Sequence, residues 1–206
     1  MDGKIQELLK QANSSENGDT SVNFAKRTFK TELECSEYFK ATKTRLLQIE
    51  EWDRNSTPSS YMLFDGSGSE IRGRLISVGD FIRIDLHGSG KYDWVEVISI
   101  YDTPEEFIIT VKPAHDPTAD NPDKAVTSHF FVATARNNFC LQKVGHTVTI
   151  YVIGVGEKQN TESTSGVIES VRNAATANLG YYLGIQKATW TEFCSNFLSD
   201  VLGSND

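Results

Sequence analysis

The sequence lacks any long apolar run. No stretch of its 206 residues approaches the roughly 18 apolar residues that a membrane-spanning helix requires. The first twelve residues carry Asp2, Lys4, Glu7 and Lys10, so they do not form the apolar core of a secretory signal. We therefore expect a protein that acts in the cytoplasm and has no membrane partner.

Cysteine is scarce, with only Cys35, Cys140 and Cys194. They are widely spaced, and none belongs to a CxxC pair or another metal-ligand spacing. An odd, sparse set argues against a disulfide framework and favours a reducing compartment. We expect all three to be buried small hydrophobic residues and predict no metal site from them.

Motifs that mark common cofactors and catalytic sites are also absent. The chain has no GxxxxGK[ST] phosphate loop, no GxSxG nucleophile elbow and no HExxH zinc site. Gly66-Ser-Gly68 and Gly88-Ser-Gly90 are short glycine turns, and neither opens a long helix after a strand. The sequence therefore predicts no cofactor and favours a protein that is not an enzyme.

Positive charge is in deficit, and the formal net charge is -8. Most of the excess lies in residues 61–124, which hold 12 acidic and 6 basic side chains. Such a surface repels phosphate backbones, so nucleic acid is not an expected partner. Apolar residues make up 38% of the chain, an ordinary globular proportion, which predicts one folded domain over 1–206.

Helical spacing of apolar residues appears at both ends of the chain. It predicts helices over 5–12, 31–52, 165–180 and 189–202, the second opened by a Thr31–Glu34 capping box and the last by Thr189–Glu192. The last two form a C-terminal helical region over 165–202. Residues 13–21 are polar and contain Gly18, so 1–30 is a candidate flexible N-terminal segment.

Between the helices the apolar period changes from 3.6 to 2. Alternating or β-branched runs predict strands over 70–77, 81–85, 94–100, 107–111, 126–135 and 147–153. The short turns between most of them favour antiparallel pairing, because parallel strands need longer crossovers. We predict an α+β fold in which a β block at 61–154 forms a barrel or a strongly curved antiparallel sheet. It has about six to seven strands and is flanked by N-terminal and C-terminal helices.

One long loop holds the candidate catalytic residues. The segment 112–124 contains three prolines together with His115 and Asp116, and His129 follows it. Histidine and aspartate suit acid–base chemistry, so a hydrolase using His115, Asp116 and His129 is one hypothesis. The alternative is a mobile surface loop. Its only sizeable anchors are Lys112, His115 and Lys124, and Asp-Pro steps are ordinary turn formers.

Two further features suggest binding. Arg72, Arg74 and Arg83 lie on adjacent predicted strands and are candidates for an anion-binding site, or for ordinary surface ion pairs. Phe130 and Phe131 are adjacent on a predicted strand and must point to opposite faces. One of them then contacts an outer helix, a ligand or another subunit.

Three functions follow as hypotheses. The first is a non-enzymatic binding or protein-interaction module, since no catalytic motif is present. The second is a small-molecule carrier with a cavity inside a β-barrel, and the third is the hydrolase. The partner is an unidentified protein or small molecule, and a homo-oligomer is compatible with the sequence.

Overall fold

The structure is a computed structural model that describes residues 3–14, 20–53, 59–86, 92–120, 131–158 and 189–199. The predicted helix at 165–180, most of the predicted strand at 126–135, and Phe130 and His129 lie outside the described residues. Among the helices that are described, none is both long and apolar enough to span a membrane.

Eight antiparallel strands form one sheet in the order β1-β8-β7-β6-β5-β4-β2-β3. The strands are β1 (Thr20–Thr28), β2 (Ser59–Phe64), β3 (Glu70–Ile71), β4 (Phe81–Leu86), β5 (Tyr92–Asp102), β6 (Glu106–Pro113), β7 (Arg136–Val144) and β8 (Thr147–Val155). The predicted α+β class and antiparallel pairing are confirmed. The sheet is open rather than a barrel, because β1 and β3 are its two edges and do not pair with each other.

The strand count exceeds the predicted six to seven because three strands, β1, β2 and β7, were missed. β1 lies in the segment 1–30 that was predicted to be flexible, and it pairs with β8 along its whole length. β7 begins at Arg136, just after the predicted strand at 126–135, of which only residue 131 makes a described bridge. The predicted strand at 70–77 shrinks to the two residues of β3.

Three α-helices flank the sheet: α1 (Lys4–Ser14), α2 (Glu32–Leu46) and α3 (residues 189–199). The predicted capping box of α2 is confirmed, since the Thr31 hydroxyl accepts from the Glu34 amide and the Glu34 carboxylate accepts from the Thr31 amide. The helix ends before the predicted residue 52, and a short 3-10 turn, Ile49–Glu51, carries the chain to buried Trp52.

The main core lies on the sheet face covered by α2 and α3, which we call the inner face. Alternate residues of six strands point into it, as Phe139 and Leu141 do from β7 and Val148, Ile150 and Val152 from β8. The helices contribute buried aromatic rings, among them Tyr38 of α2 and Phe193 of α3. This period-2 burial places residues 137 and 154 on the inner face as well.

The opposite, outer face is covered in part by α1. Buried Ile5 and Ala12 of α1 pack with Ile108, Cys140 and Ile153 of the central strands. The buried carboxylate of Glu106 accepts hydrogen bonds from the backbone amides of Lys4 (2.8 Å) and Ile5 (3.4 Å) at the start of α1. An acidic group satisfies these otherwise unpaired amides and complements the helix dipole, so Glu106 joins α1 to the sheet.

The helix α3 is held at its C-terminal end by two other elements. Arg45 of α2 donates to the carbonyl of Phe197 (2.9 Å), and Arg27 of β1 donates to the carbonyl of Leu198 (3.2 Å). Tyr38 of α2 also donates to the carbonyl of Leu198. Cationic donors at the carbonyl end satisfy unpaired groups and complement the helix dipole, which fixes α3 across the inner face.

The three cysteines are free and buried, as predicted. Burial raises the pKa of Cys194 to about 12 and raises that of Cys140 well above its ordinary value. Both stay protonated at neutral pH, so neither is a reactive thiolate.

Candidate functional site

The two described members of the candidate catalytic loop have local contacts. His115 packs edge-on against Phe81, with ring centroids 5.5 Å apart. Asp116 accepts at one carboxylate oxygen from the Thr118 amide (2.8 Å) and hydroxyl (2.6 Å). This is the turn-forming pattern expected of an aspartate before proline. No group of three or more metal-ligating side chains occurs in the part of the chain that the structure describes.

The first half of that loop is anchored. Ala114 and Pro117 are buried, and the Ala114 amide donates to the carbonyl of Trp94 (2.9 Å). Gly68 lies so close to the Pro117 carbonyl that a Cβ at this position would be 2.5 Å from its oxygen. The expectation that residues 112–124 have no apolar anchor is therefore wrong for 114–117. There the buried side chains of Ala114 and Pro117 anchor the loop.

The three candidate arginines each have a different partner. Arg72 pairs with Glu70 (2.6 Å), and Arg74 pairs with buried Asp80 (2.7 Å). Arg83 lies over the rings of Tyr92 (4.3 Å) and Phe64 (5.5 Å). Arg72–Glu70 is thus a surface pair of the kind that the sequence offered as the alternative to an anion site, whereas Arg74 pairs with a buried carboxylate.

A polar cluster that the sequence did not reveal lies at one end of the inner face. Asn137 of β7 and Ser21 of β1 are both register partners of Gly154 on the strand between them. Asn23 lies two residues beyond Ser21 on the same face of β1. Most inner-face positions carry apolar side chains, so three polar residues around a glycine form a distinct surface.

Glu157 fills the space that the missing side chain of Gly154 leaves. A Cβ at residue 154 would lie 2.1 Å from Oε1 of Glu157, so the carboxyl group rests directly on the glycine backbone. This close approach explains the glycine inside β8, because any larger residue would push Glu157 away. We call Ser21, Asn23, Asn137, Gly154 and Glu157 the polar cluster.

Two amide groups of this cluster are buried with one atom unsatisfied. Asn23 is 3% exposed; its Oδ1 accepts from the Thr191 hydroxyl of α3 (3.1 Å), but its Nδ2 has no partner among the described residues. Asn137 is 9% exposed, and its Oδ1 likewise has no partner there. Buried polar groups are normally paired, since an unpaired one costs about 1–3 kcal/mol. The cluster therefore contains two buried amide groups, each with one polar atom that has no partner in the described part of the chain.

An aromatic wall borders the polar cluster. Phe139 follows Asn137 by two residues on the inner face, and its ring packs edge-on against Trp190 of α3 at 5.5 Å. Trp190 is partly buried, whereas Phe193 and Phe197 on the same helix are 2% exposed. The site thus joins hydrogen-bonding groups to a partly accessible ring, which is the usual composition of a small-molecule site.

The Glu157 carboxyl is electrostatically unusual. Burial raises its pKa above the ordinary value of 4.5, and a hydrogen bond from Ser21 opposes this shift. No charged group contributes to the shift, so the neutral form of this carboxyl persists to higher pH than in the unfolded chain.

We expect this shift to appear in the pH dependence of stability. From about 4.5, where the unfolded chain loses the proton, up to the folded pKa, the native state binds more protons than the unfolded state. The free energy of unfolding should therefore fall as the pH rises through this window. Glu157→Gln should flatten the fall and make the protein more stable than wild type at pH 7. Urea unfolding at several pH values measures both effects, with the exposed Glu192→Gln as control; equal pH slopes in wild type and Glu157→Gln would contradict the assignment.

Comparisons with known proteins identify no family: no family model matches the chain, and no curated protein matches it. Solved structures do show similarity. A hypothetical protein from Helicobacter pylori is 11% identical over 88% of this chain and 93% of its own, with a TM-score of 0.48. A protein from Arthrobacter aurescens is 10% identical over 91% of both chains, with a TM-score of 0.47. The major latex-like protein 151 of Panax ginseng is 13% identical over 82% of this chain and 95% of its own, with a TM-score of 0.39. At these values the similarity carries no argument about function.

Proposed function

We propose that the protein is a non-enzymatic binding protein for a small organic molecule, and that the ligand occupies the polar cluster on the inner face. The observation that carries the proposal is the pair of buried asparagines, Asn23 and Asn137, each with one hydrogen-bonding atom unpaired in the described part of the chain. A ligand that supplies a hydrogen-bond partner to each of these two atoms removes the free-energy cost of leaving them unpaired.

The surroundings support a bound small molecule over a bound protein segment. The cluster is recessed, since Asn23 and Asn137 are both at least nine-tenths buried, and α3 crosses the same face. The middle of the inner face is filled by rings, with Trp52, Tyr61 and Phe139 all within 6.5 Å of Phe193. We therefore place the ligand at the polar end of the inner face rather than in its middle.

The hydrolase hypothesis receives no comparable support. Asp116 is engaged in a turn and His115 packs on a phenylalanine ring, so neither is presented as an acid–base pair. Free, buried cysteines are consistent with a cytoplasmic location, which we keep as part of the proposal.

A fragment screen tests the proposal directly. The full chain is screened by ligand-observed NMR against neutral, anionic and cationic aromatic fragments, and each hit is titrated against two glycine variants. Gly154→Ala introduces a Cβ that collides with Glu157 and displaces its carboxyl, so we expect hits to bind at least about tenfold more weakly.

The matched control is Gly66→Ala. A Cβ there would have no neighbour closer than 4.0 Å, and this glycine lies in the β2–β3 turn. Affinities should be unchanged in this variant. A screen without hits, or hits that bind Gly154→Ala as well as wild type, would contradict a ligand site at the polar cluster.

A further inference from the structure

A turn directly after β8 brings Glu157 back onto its own strand. Gly156 has a φ of +66°, a left-handed conformation that glycine adopts without strain, and it redirects the chain at the end of β8. The Glu157 carboxyl then occupies the space that a side chain on Gly154 would fill. A hydrogen bond with Ser21 joins the same carboxyl to β1, the edge strand of the sheet. One side chain thus links the turn to two strands.

The backbone of this turn is bonded to the segment that precedes β7. The Lys158 amide donates to the carbonyl of Gly156 (2.7 Å), and the Val132 amide donates to the carbonyl of Lys158 (2.9 Å). Within the segment before β7, the Ala135 amide donates to the carbonyl of Val132 (2.9 Å), and Ala135 is fully buried. The Val132–Lys158 bond therefore joins the turn to the segment, whereas the Ala135 bond is internal to the segment.

The surroundings of the Glu157 carboxyl provide no counter-charge. Ser21 of β1 and Asn137 of β7, the register partners of the glycine beneath it, are both neutral. The basic residues near it in the chain are directed elsewhere: Arg136 donates to two backbone carbonyls of the segment before β7 (2.8 and 2.6 Å), and Lys158 is exposed. Ionisation therefore places a charge in a partly buried position without an ion pair to stabilise it, which is unfavourable.

The ionised carboxyl can reach water by a small movement. Glu157 is not fully buried, and it follows a glycine whose backbone angles change at little cost. The neutral carboxyl is under no such pressure to leave, because burial penalises the charged form alone. The balance between the position on Gly154 and a released position therefore depends on protonation.

We propose that Glu157 is a proton-controlled latch: its neutral carboxyl rests on Gly154 and holds the turn at 156–158, and its ionisation releases the turn and breaks the Val132–Lys158 bond. The polar end of the inner face then opens locally as the pH rises, while the rest of the sheet stays folded. The latch requires no ligand, so it goes beyond the proposed function and does not depend on the outcome of the fragment screen.

Amide hydrogen exchange of the full chain at about pH 5 and about pH 8 tests the latch. After correction for the intrinsic pH dependence of exchange, the protection factor of Val132 should be about threefold or more lower at the higher pH. Ala135 is the internal control, because its amide is bonded within its own segment, and its protection should fall less. Local opening exposes little surface, so low concentrations of urea should not accelerate the exchange of Val132.

Three variants separate the carboxyl from other causes of opening. Glu157→Gln keeps the shape of the side chain and cannot ionise, so the Val132 amide should keep at the higher pH the protection that it has at the lower pH. Gly154→Ala adds a Cβ that displaces the carboxyl, so Val132 should lose about threefold or more of its protection even at the lower pH. Gly66→Ala, where a Cβ has room, should match wild type.

Three results would overturn the latch. The first is a Val132 protection factor in wild type that does not change with pH, or that falls only in parallel with that of Ala135, since a parallel fall indicates global unfolding. The second is a Glu157→Gln variant that keeps the pH dependence of wild type, because another group then controls the opening. The third is full wild-type protection of Val132 in Gly154→Ala, which would show that the position of the carboxyl on residue 154 does not hold the turn.

Discussion

Replacing Phe193 with alanine should lower the free energy of unfolding by about 3–5 kcal/mol. The side chain is 2% exposed and lies at the centre of the inner-face core. Its ring centroid is within 6.5 Å of those of five other rings, namely Trp52, Tyr61, Phe139, Trp190 and Phe197. Truncation leaves a cavity. To fill it, the aromatic rings of the sheet, of Trp52 and of α3 would all have to move.

Urea unfolding followed by circular dichroism measures this loss. Ser195→Ala is the matched control, because Ser195 lies two residues along α3 and is exposed. It should change the free energy of unfolding by less than about 0.5 kcal/mol. A loss below about 1 kcal/mol for Phe193→Ala would show that α3 does not dock on the sheet in solution.

Replacing Glu106 with alanine should lower the free energy of unfolding by about 2–4 kcal/mol, since hydrogen bonds to a charged group contribute about 1.5–3 kcal/mol. The carboxylate is 7% exposed and accepts from Lys4 N, Ile5 N and the Gln142 side chain (3.1 Å). Its removal leaves the first amides of α1 unpaired against the outer face.

Amide hydrogen exchange identifies where the loss occurs. In Glu106→Ala the amides of α1 should lose protection more than those of β6, because the contact joins the helix to the sheet. Glu105→Ala is the control, since Glu105 is adjacent and exposed. Unchanged protection of α1 in the Glu106 variant would show that this carboxylate does not cap the helix.

The sequence predicted the parts of the fold that rest on strong periodicity. Alternation at 81–85 and 94–100 corresponds to β4 and β5, and the β-branched runs at 107–111 and 147–153 correspond to β6 and β8. The strand β1 was missed because its inward positions include Ser21, Asn23 and Arg27, which mask the alternation. Those same polar residues contact Glu157, α3 and the core helices.

The candidate site was missed for a related reason. Its residues come from β1, β7, β8 and the segment after β8, and only the sheet order brings them together. The one local signal was Gly154 inside a β-branched run, since glycine in a strand often marks a close approach. Conversely, His115 and Asp116 attracted attention by residue type alone, and the structure gives them packing and turn contacts.

The most direct measurement of the central claim is an NMR titration that follows the side-chain amide signals of the asparagines while the best fragment is added. If the ligand binds the polar cluster, the Asn23 and Asn137 side-chain signals should shift together with one saturation curve. The signal of Asn138, on the opposite face of β7, should stay in place. Saturable binding that leaves the Asn23 and Asn137 signals unmoved, or that shifts Asn138 equally, would contradict a ligand site on the inner face.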